Sequence, residues 1–236
     1  MSSILVIKNK MKIFKFFGFI FLLFFILFSA WQFIEAVYRI ALNHTLYLWF
    51  GGGVVAYAIL RRFGFFSKNV EWFEIHTHEW LHIVVALMFG QKIHSISAGE
   101  KGGMMYHSGR FNRNIFISLA PYCLPLYAYF FCILRLLGER RNFYIFDLMI
   151  GFTLTFHILC FKKQTSSHQT DIRQFGVMLS YLFITAFLLF NVTVILNAVK
   201  IGITDAFIYQ FKHYWHDADA LYNYLKQHSS IKQLIN

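Results

Sequence analysis

Long unbroken apolar runs dominate this chain, and they restrict it to the folds that a bilayer accepts. In hydrocarbon every backbone polar group must be satisfied internally, so a run of about 20 apolar residues crosses as a helix. Of 236 residues, 58% are hydrophobic and only 14% are charged, too few to cover a soluble domain with polar surface. The expected class is an all-α integral membrane protein, multi-pass, with the lipid bilayer as its first partner.

Six spans are expected. The first runs from about Ile13 to Ile34, with Lys8, Lys10, Lys12 and Lys15 at its start. Its length, and the bulky Phe28 where a small residue would precede cleavage at Ala30, favour an uncleaved anchor over a signal peptide. The second, Thr45 to Leu60, is short and holds Gly51-Gly52-Gly53, which permit close helix contact or a break facing the protein interior. The third, about Glu71 to Phe89, stops at Gly90, a natural C-terminal cap. Asn114 to Leu137, interrupted by Pro121 and Pro125, Phe143 to Phe161 and Val177 to Val199 complete the set.

The net charge of +11 comes from Lys and Arg that sit mostly at the ends of apolar runs, where they meet headgroups. No basic-aromatic recognition module accompanies them, so a nucleic-acid partner is not expected. Counted over six spans, Lys and Arg number 14 on the N-terminal side against 8 on the other, which predicts cytoplasmic termini. Cys123, Cys132 and Cys160 lie in apolar stretches without metal-type spacing and read as buried thiols.

Two segments depart from the spanning pattern. Between Gln91 and Arg113, alternation from Ile93 to Ala98, the turn residues Gly99 to Gly103 and a return through Met104 to His107 read as a short β-hairpin after the third helix. An ordinary surface loop is the other reading. From 204 to 236 the apolar positions Phe207, Phe211, Tyr214, Trp215, Ala218, Leu221, Tyr222 and Leu225 recur at helical spacing, with Thr204 or Asp205 as cap. This predicts an amphipathic helix, on the membrane or packed on the bundle, appended to a polytopic membrane domain of residues 1–203.

The third helix carries His78-Glu79-Trp80-Leu81-His82. Residues four apart share a helix face, so both imidazoles can address one cation, and Glu79 lies one step round as a general base for an activated water. With 11 histidines and six glutamates among 236 residues, random order produces this pattern about 0.01 times. At about 1.5 Å per residue from Glu71, His82 lies roughly 16 Å along the helix, near mid-bilayer. Ionisable groups at that depth are costly, and a metal is the economical partner for them, a hydrogen-bonded polar cluster being the other reading. A di-iron oxygenase, the other enzyme class considered, uses several histidine boxes, and no His-His pair occurs here.

A His-Glu-x-x-His motif inside a hydrophobic helix resembles the site-2 protease family of intramembrane zinc metallopeptidases. The resemblance covers about Trp72 to Phe187 and includes a proline-bearing stretch, Ser118 to Pro125. It implies Zn2+ held by His78, His82 and an aspartate near the start of a later helix, a place that Asp171 fits. It also implies Glu79 as catalytic base and a membrane protein or peptide as substrate. The family's Leu-Asp-Gly is absent, since Ile172 and Arg173 follow Asp171, and His168 is the competing ligand ahead of His76, His94 and His107. Six spans would also start the third and last helices on opposite sides of the membrane. To meet the histidines, either Lys162 to Gln174 dips inward or Gln91 to Arg113 crosses. Asn112, Asn114 and His157 are polar candidates for oxyanion stabilisation. A partner-binding protein on a peptidase-like scaffold is the non-enzyme alternative.

Overall fold

A computed structural model describes residues 2–64, 69–99, 102–108 and 114–235, with side chains over 16–64, 71–93 and 114–227. In chain order it forms α1 (Ser2–Leu42), α2 (Leu48–Arg62), α3 (Asn69–Met88), β1 (Lys92–Gly99), β2 (Gly102–Ser108), α4 (Ile115–Cys123), α5 (Leu126–Leu137), α6 (Phe143–Gln164), α7 (Thr170–Phe175), α8 (Val177–Ile201) and α9 (Ile203–Ile235).

Three stretches are long and apolar enough to cross a bilayer: Phe16–Leu42, Arg140–Gln164 and Val177–Ile201. A fourth is reached if α4 and α5, bent by 79° at their junction, form one broken span. Among the described residues the other two expected spans, α2 and α3, do not reach that length and apolarity. At 15 residues α2 is only about 22 Å long, and α3 carries Glu71, Glu74 and Glu79 along its 20 residues. The break between α4 and α5 follows from Pro125. A residue before proline is driven out of the helical region, and Leu124 is extended (φ −105°, ψ 103°).

The helix α8 is the axis of the bundle: Ile184, Ala186 and the run from Thr193 to Val199 are buried. By contrast α1 lies at the edge, packing Leu22 and Phe25 inward while Phe21, Leu27, Trp31 and Ile34 face out. Outward-facing apolar side chains of this size suit contact with acyl chains. The pair α2 and α6 crosses closely at two glycines. A Cβ at Gly53 would stand 1.9 Å from the Leu148 carbonyl oxygen, and one at Gly151 would stand 2.0 Å from that of Phe50.

Gly202, at φ 84°, turns the chain back on itself so that α9 packs on α8 and α1. Helix α9 starts at Ile203, which puts Thr204 and Asp205 inside its first turn instead of at a cap. Its first half is docked on the bundle: Phe207 and Tyr214 rest on Phe190, and Tyr214 is hydrogen-bonded to Ser29 at 2.5 Å. Further along, Trp215, Tyr222 and Leu225 are exposed.

Helix α3 ends as its glycine dictates. Gly90 adopts φ 68°, and Gln91 N–H reaches back to the Ala86 carbonyl at 2.9 Å. Strands β1 and β2 then pair antiparallel, from Lys92 with Ser108 to Gly99 with Gly102, with an irregularity between Ile93 and Ser95. Antiparallel pairing brings Ser108 back beside Lys92, next to the end of α3. Helix α4 can then run back along α3.

Candidate metal centre

The site is assembled from three elements far apart in sequence: α3, the short α7 and, around them, α4. Inward-facing α3 residues are Glu74, Thr77, Glu79, Leu81, His82, Val85 and Ala86, all buried. Antiparallel packing sets Val85 and Ala86 against Ile117 and Ala120, and brings Thr77 within 3.3 Å of the Tyr127 hydroxyl. The first turns of α3 are tied by charge. Lys163 Nζ lies 2.9 Å from Glu71 and 3.0 Å from Glu74, and Arg61 lies 3.2 Å from Glu74.

Asp171 reaches the histidines because the connection between α6 and α8 is drawn into the bundle. Ile172 is fully buried, its carbonyl accepts from Ser180 Oγ at 2.8 Å, and Gly176 (φ 95°) supplies the reversal into α8. The connection between α6 and α8 thus folds back onto the bundle and brings Asp171 beside both histidines.

His78, His82 and Asp171 form a group able to hold a metal ion, with ligand atoms all within 4.8 Å of one another. Asp171 Oδ2 stands 3.5 Å from Nε2 of His78 and 3.5 Å from Nε2 of His82. Two ligand atoms bound at about 2.0–2.2 Å to a tetrahedral ion stand about 3.3–3.6 Å apart, so both edges match.

The tautomers match as well. His82 Nδ1 lies 2.8 Å from the Ile117 carbonyl, which only accepts, so Nδ1 carries the proton and Nε2 offers its lone pair. His78 Nδ1 lies 3.1 Å from Gln164 Oε1, while the Gln164 amide nitrogen donates to the Glu74 carbonyl at 3.2 Å. That second bond fixes which way the amide faces, and so His78 also presents Nε2 inward. Tyr122, fully buried, donates its hydroxyl to Asp171 Oδ2 at 3.4 Å and sets its ring edge-on to His78 at 5.2 Å. Each candidate ligand thus has an outer hydrogen-bond partner, the arrangement that orients metal ligands. Glu79 is buried on the same helix, between the two histidines in sequence.

Other sequence candidates fall elsewhere. His76 donates to the Trp72 carbonyl and stacks on that indole at 3.7 Å, on another face of α3. His168 is exposed on the connection and stands outside the ligand group. Asn114 caps α4, accepting from Phe116 N–H, and His157 is buried on α6. Asn112 and the side chains of His94 and His107 lie outside the described residues.

Tyr122 and Gln164 were missed from sequence. The only available signals were a tyrosine beside the first proline and a glutamine ending an apolar run. Comparison with protein-family models, with curated proteins and with solved structures gives no match for this chain.

Proposed function

We propose that the chain is a membrane-embedded zinc metalloendopeptidase that cleaves peptide bonds within or beside the bilayer. The observation that carries this reading is the convergence of two Nε2 atoms and one carboxylate oxygen at metal-ligand spacing, with a buried glutamate next to the first histidine. His78, His82 and Asp171 would hold the ion. Zinc in such a site acidifies a water and polarises a carbonyl. Glu79 would be the base that takes a proton from the attacking water as the water oxygen bonds to the scissile carbon and the carbonyl π pair moves to oxygen. The same carboxyl would then deliver the proton to the amide nitrogen as the C–N bond breaks, releasing an acid and an amine.

The setting supports a membrane substrate. Exposed Trp72, Phe73 and Trp80 place apolar surface beside the site, and β1 and β2 pack against α3. A sheet edge there offers a place where an unwound peptide adds as a strand. Ile96→Pro should then impair cleavage while zinc is kept, and unchanged cleavage would remove the sheet from the reading. The sequence's charge bias supports cytoplasmic termini, which tags accessible from one side only would test.

The deciding experiment is metal analysis of the detergent-purified protein together with Glu79→Gln. One zinc per chain in both forms is expected. Proteolysis of labelled casein and of single-span membrane peptides should occur only with Glu79 in place. Equal processing by both forms would leave a metal-holding scaffold that binds a partner. Iron in place of zinc would redirect the reading to oxygen chemistry, since two histidines and one carboxylate also suit Fe(II).

A further inference from the structure

Pro121 stands inside α4, four residues after Ile117. An α-helix satisfies the carbonyl of residue i with the N–H of residue i+4. Proline has no N–H, and its ring crowds the carbonyl four residues back. The helical ladder therefore has no donor for Ile117 at that position, and the ring favours tilting the carbonyl away from the axis. That carbonyl is the one His82 Nδ1 approaches at 2.8 Å. Ile117 is 2% exposed and His82 7%, which leaves water little access to either group.

We infer that Pro121 is a positioning residue for the metal centre: by withholding its N–H it frees the Ile117 carbonyl to hold His82 in the tautomer that binds metal through Nε2. The inference rests on the metal-site half of the proposed function and needs no proteolysis to test. A proline within a nine-residue helix is costly on its own, since it removes a ladder hydrogen bond. The carbonyl it releases gives that position a use. The bend into α5 does not require it, because Pro125 accounts for that break.

The test compares two replacements at position 121 that differ in one group. Pro121→Ala restores an N–H that competes for the Ile117 carbonyl. Lactic acid at position 121, the ester counterpart of alanine, removes the ring but supplies no N–H. Zinc affinity, measured by competition with a chromophoric chelator, should fall about 10-fold in Pro121→Ala, the usual size for loss of an outer partner. It should stay within about 3-fold of wild type with the ester. Cobalt(II) spectra should change in the first and not in the second.

Equal loss in both would assign the effect to the ring, and no loss in either would show that Ile117 serves both donors. Each result overturns the inference. If Pro121→Ala fails to fold, the 15N shifts of His82 in the zinc-loaded wild type decide. A protonated Nδ1 supports the inference and an unprotonated Nδ1 overturns it. A wild-type protein that binds no metal would fail the metal-site reading itself, a result separate from all of these.

Discussion

The α3–α4–α7 region and the α2–α6 crossing are both buried helix contacts, yet they are built on opposite terms. Around the histidines, position is set by the direction of hydrogen bonds: Ile117 to His82, Gln164 to His78, Tyr122 to Asp171. The backbone there is irregular, with Pro121, Leu124 in extended conformation and Gly176 at positive φ. At the crossing, position is set by volume, since Gly53 and Gly151 let two backbones touch. A buried polar atom beside that crossing, Tyr57 Oη against Phe152, finds no hydrogen-bond partner among the described residues. One region is specified by polar matching and tolerates a broken helix. The other is specified by shape and tolerates an unmatched polar atom. Removing a hydrogen-bonding group should therefore strike the first, and adding a methyl group the second.

The largest expected effect tests whether the polar region is a metal site at all. Asp171→Ala removes one of the three candidate ligands, and zinc affinity should fall on the order of 10³-fold, while His168→Ala should leave it unchanged. Metal content after chelator dialysis reads both. Loss of zinc in His168→Ala instead would break the assignment made from the 3.5 Å spacings. Next in size is Gly151→Val, whose side chain would meet the Phe50 backbone. Backbone is not free to move aside as a flexible side chain is, so a loss of about 3 kcal/mol is expected. Unfolding in mixed micelles measures it. Zinc affinity of the folded protein should hold within about 3-fold, and a larger change would mean the two regions are not separable.

A smaller effect probes the residue that belongs to both regions' shared helix, α6. Gln164→Ala leaves His78 Nδ1 without its acceptor, and zinc affinity should drop about 10-fold. Gln164→Glu keeps an acceptor there and should recover most of it. If both variants bind zinc as wild type does, the outer bond to His78 does not orient the ring, and polar matching is less strict than the comparison holds.

How much of this was legible in the sequence divides along the same line. His78, Glu79 and His82 were readable because helical spacing turns sequence separation into a shared face. The helices α1, α6 and α8 were readable because apolar length is itself the signal. The failures are instructive. Helices α2 and α3 are less legible as spans: their apolar residues suggest them, while the short length of one and the three glutamates of the other weigh against them. Asp171 came only from a resemblance, because its place beside the histidines depends on how the 165–176 connection folds inward, and nothing local in its sequence encodes that. Gln164 and Tyr122 act through partners 86 and 49 residues away, separations over which no periodicity speaks.

The smallest effect lies outside both regions and sharpens the line between them. Ser29 Oγ and Tyr214 Oη, 2.5 Å apart, join α1 to α9 by a side-chain hydrogen bond among aromatic rings. If polar matching governs only the metal region, this bond should behave like an ordinary one in a membrane protein. A double-mutant cycle with Ser29→Ala and Tyr214→Phe should then give a coupling of about 0.6 kcal/mol. Neither change alters volume much, and Tyr214 keeps its ring contacts with Phe25 and Phe190, so packing is held nearly constant. A coupling above about 2 kcal/mol would exceed what such bonds supply in membranes and would extend directional control to the docking of α9. A coupling near zero would leave α9 held by its aromatic face alone, as shape holds α2 to α6.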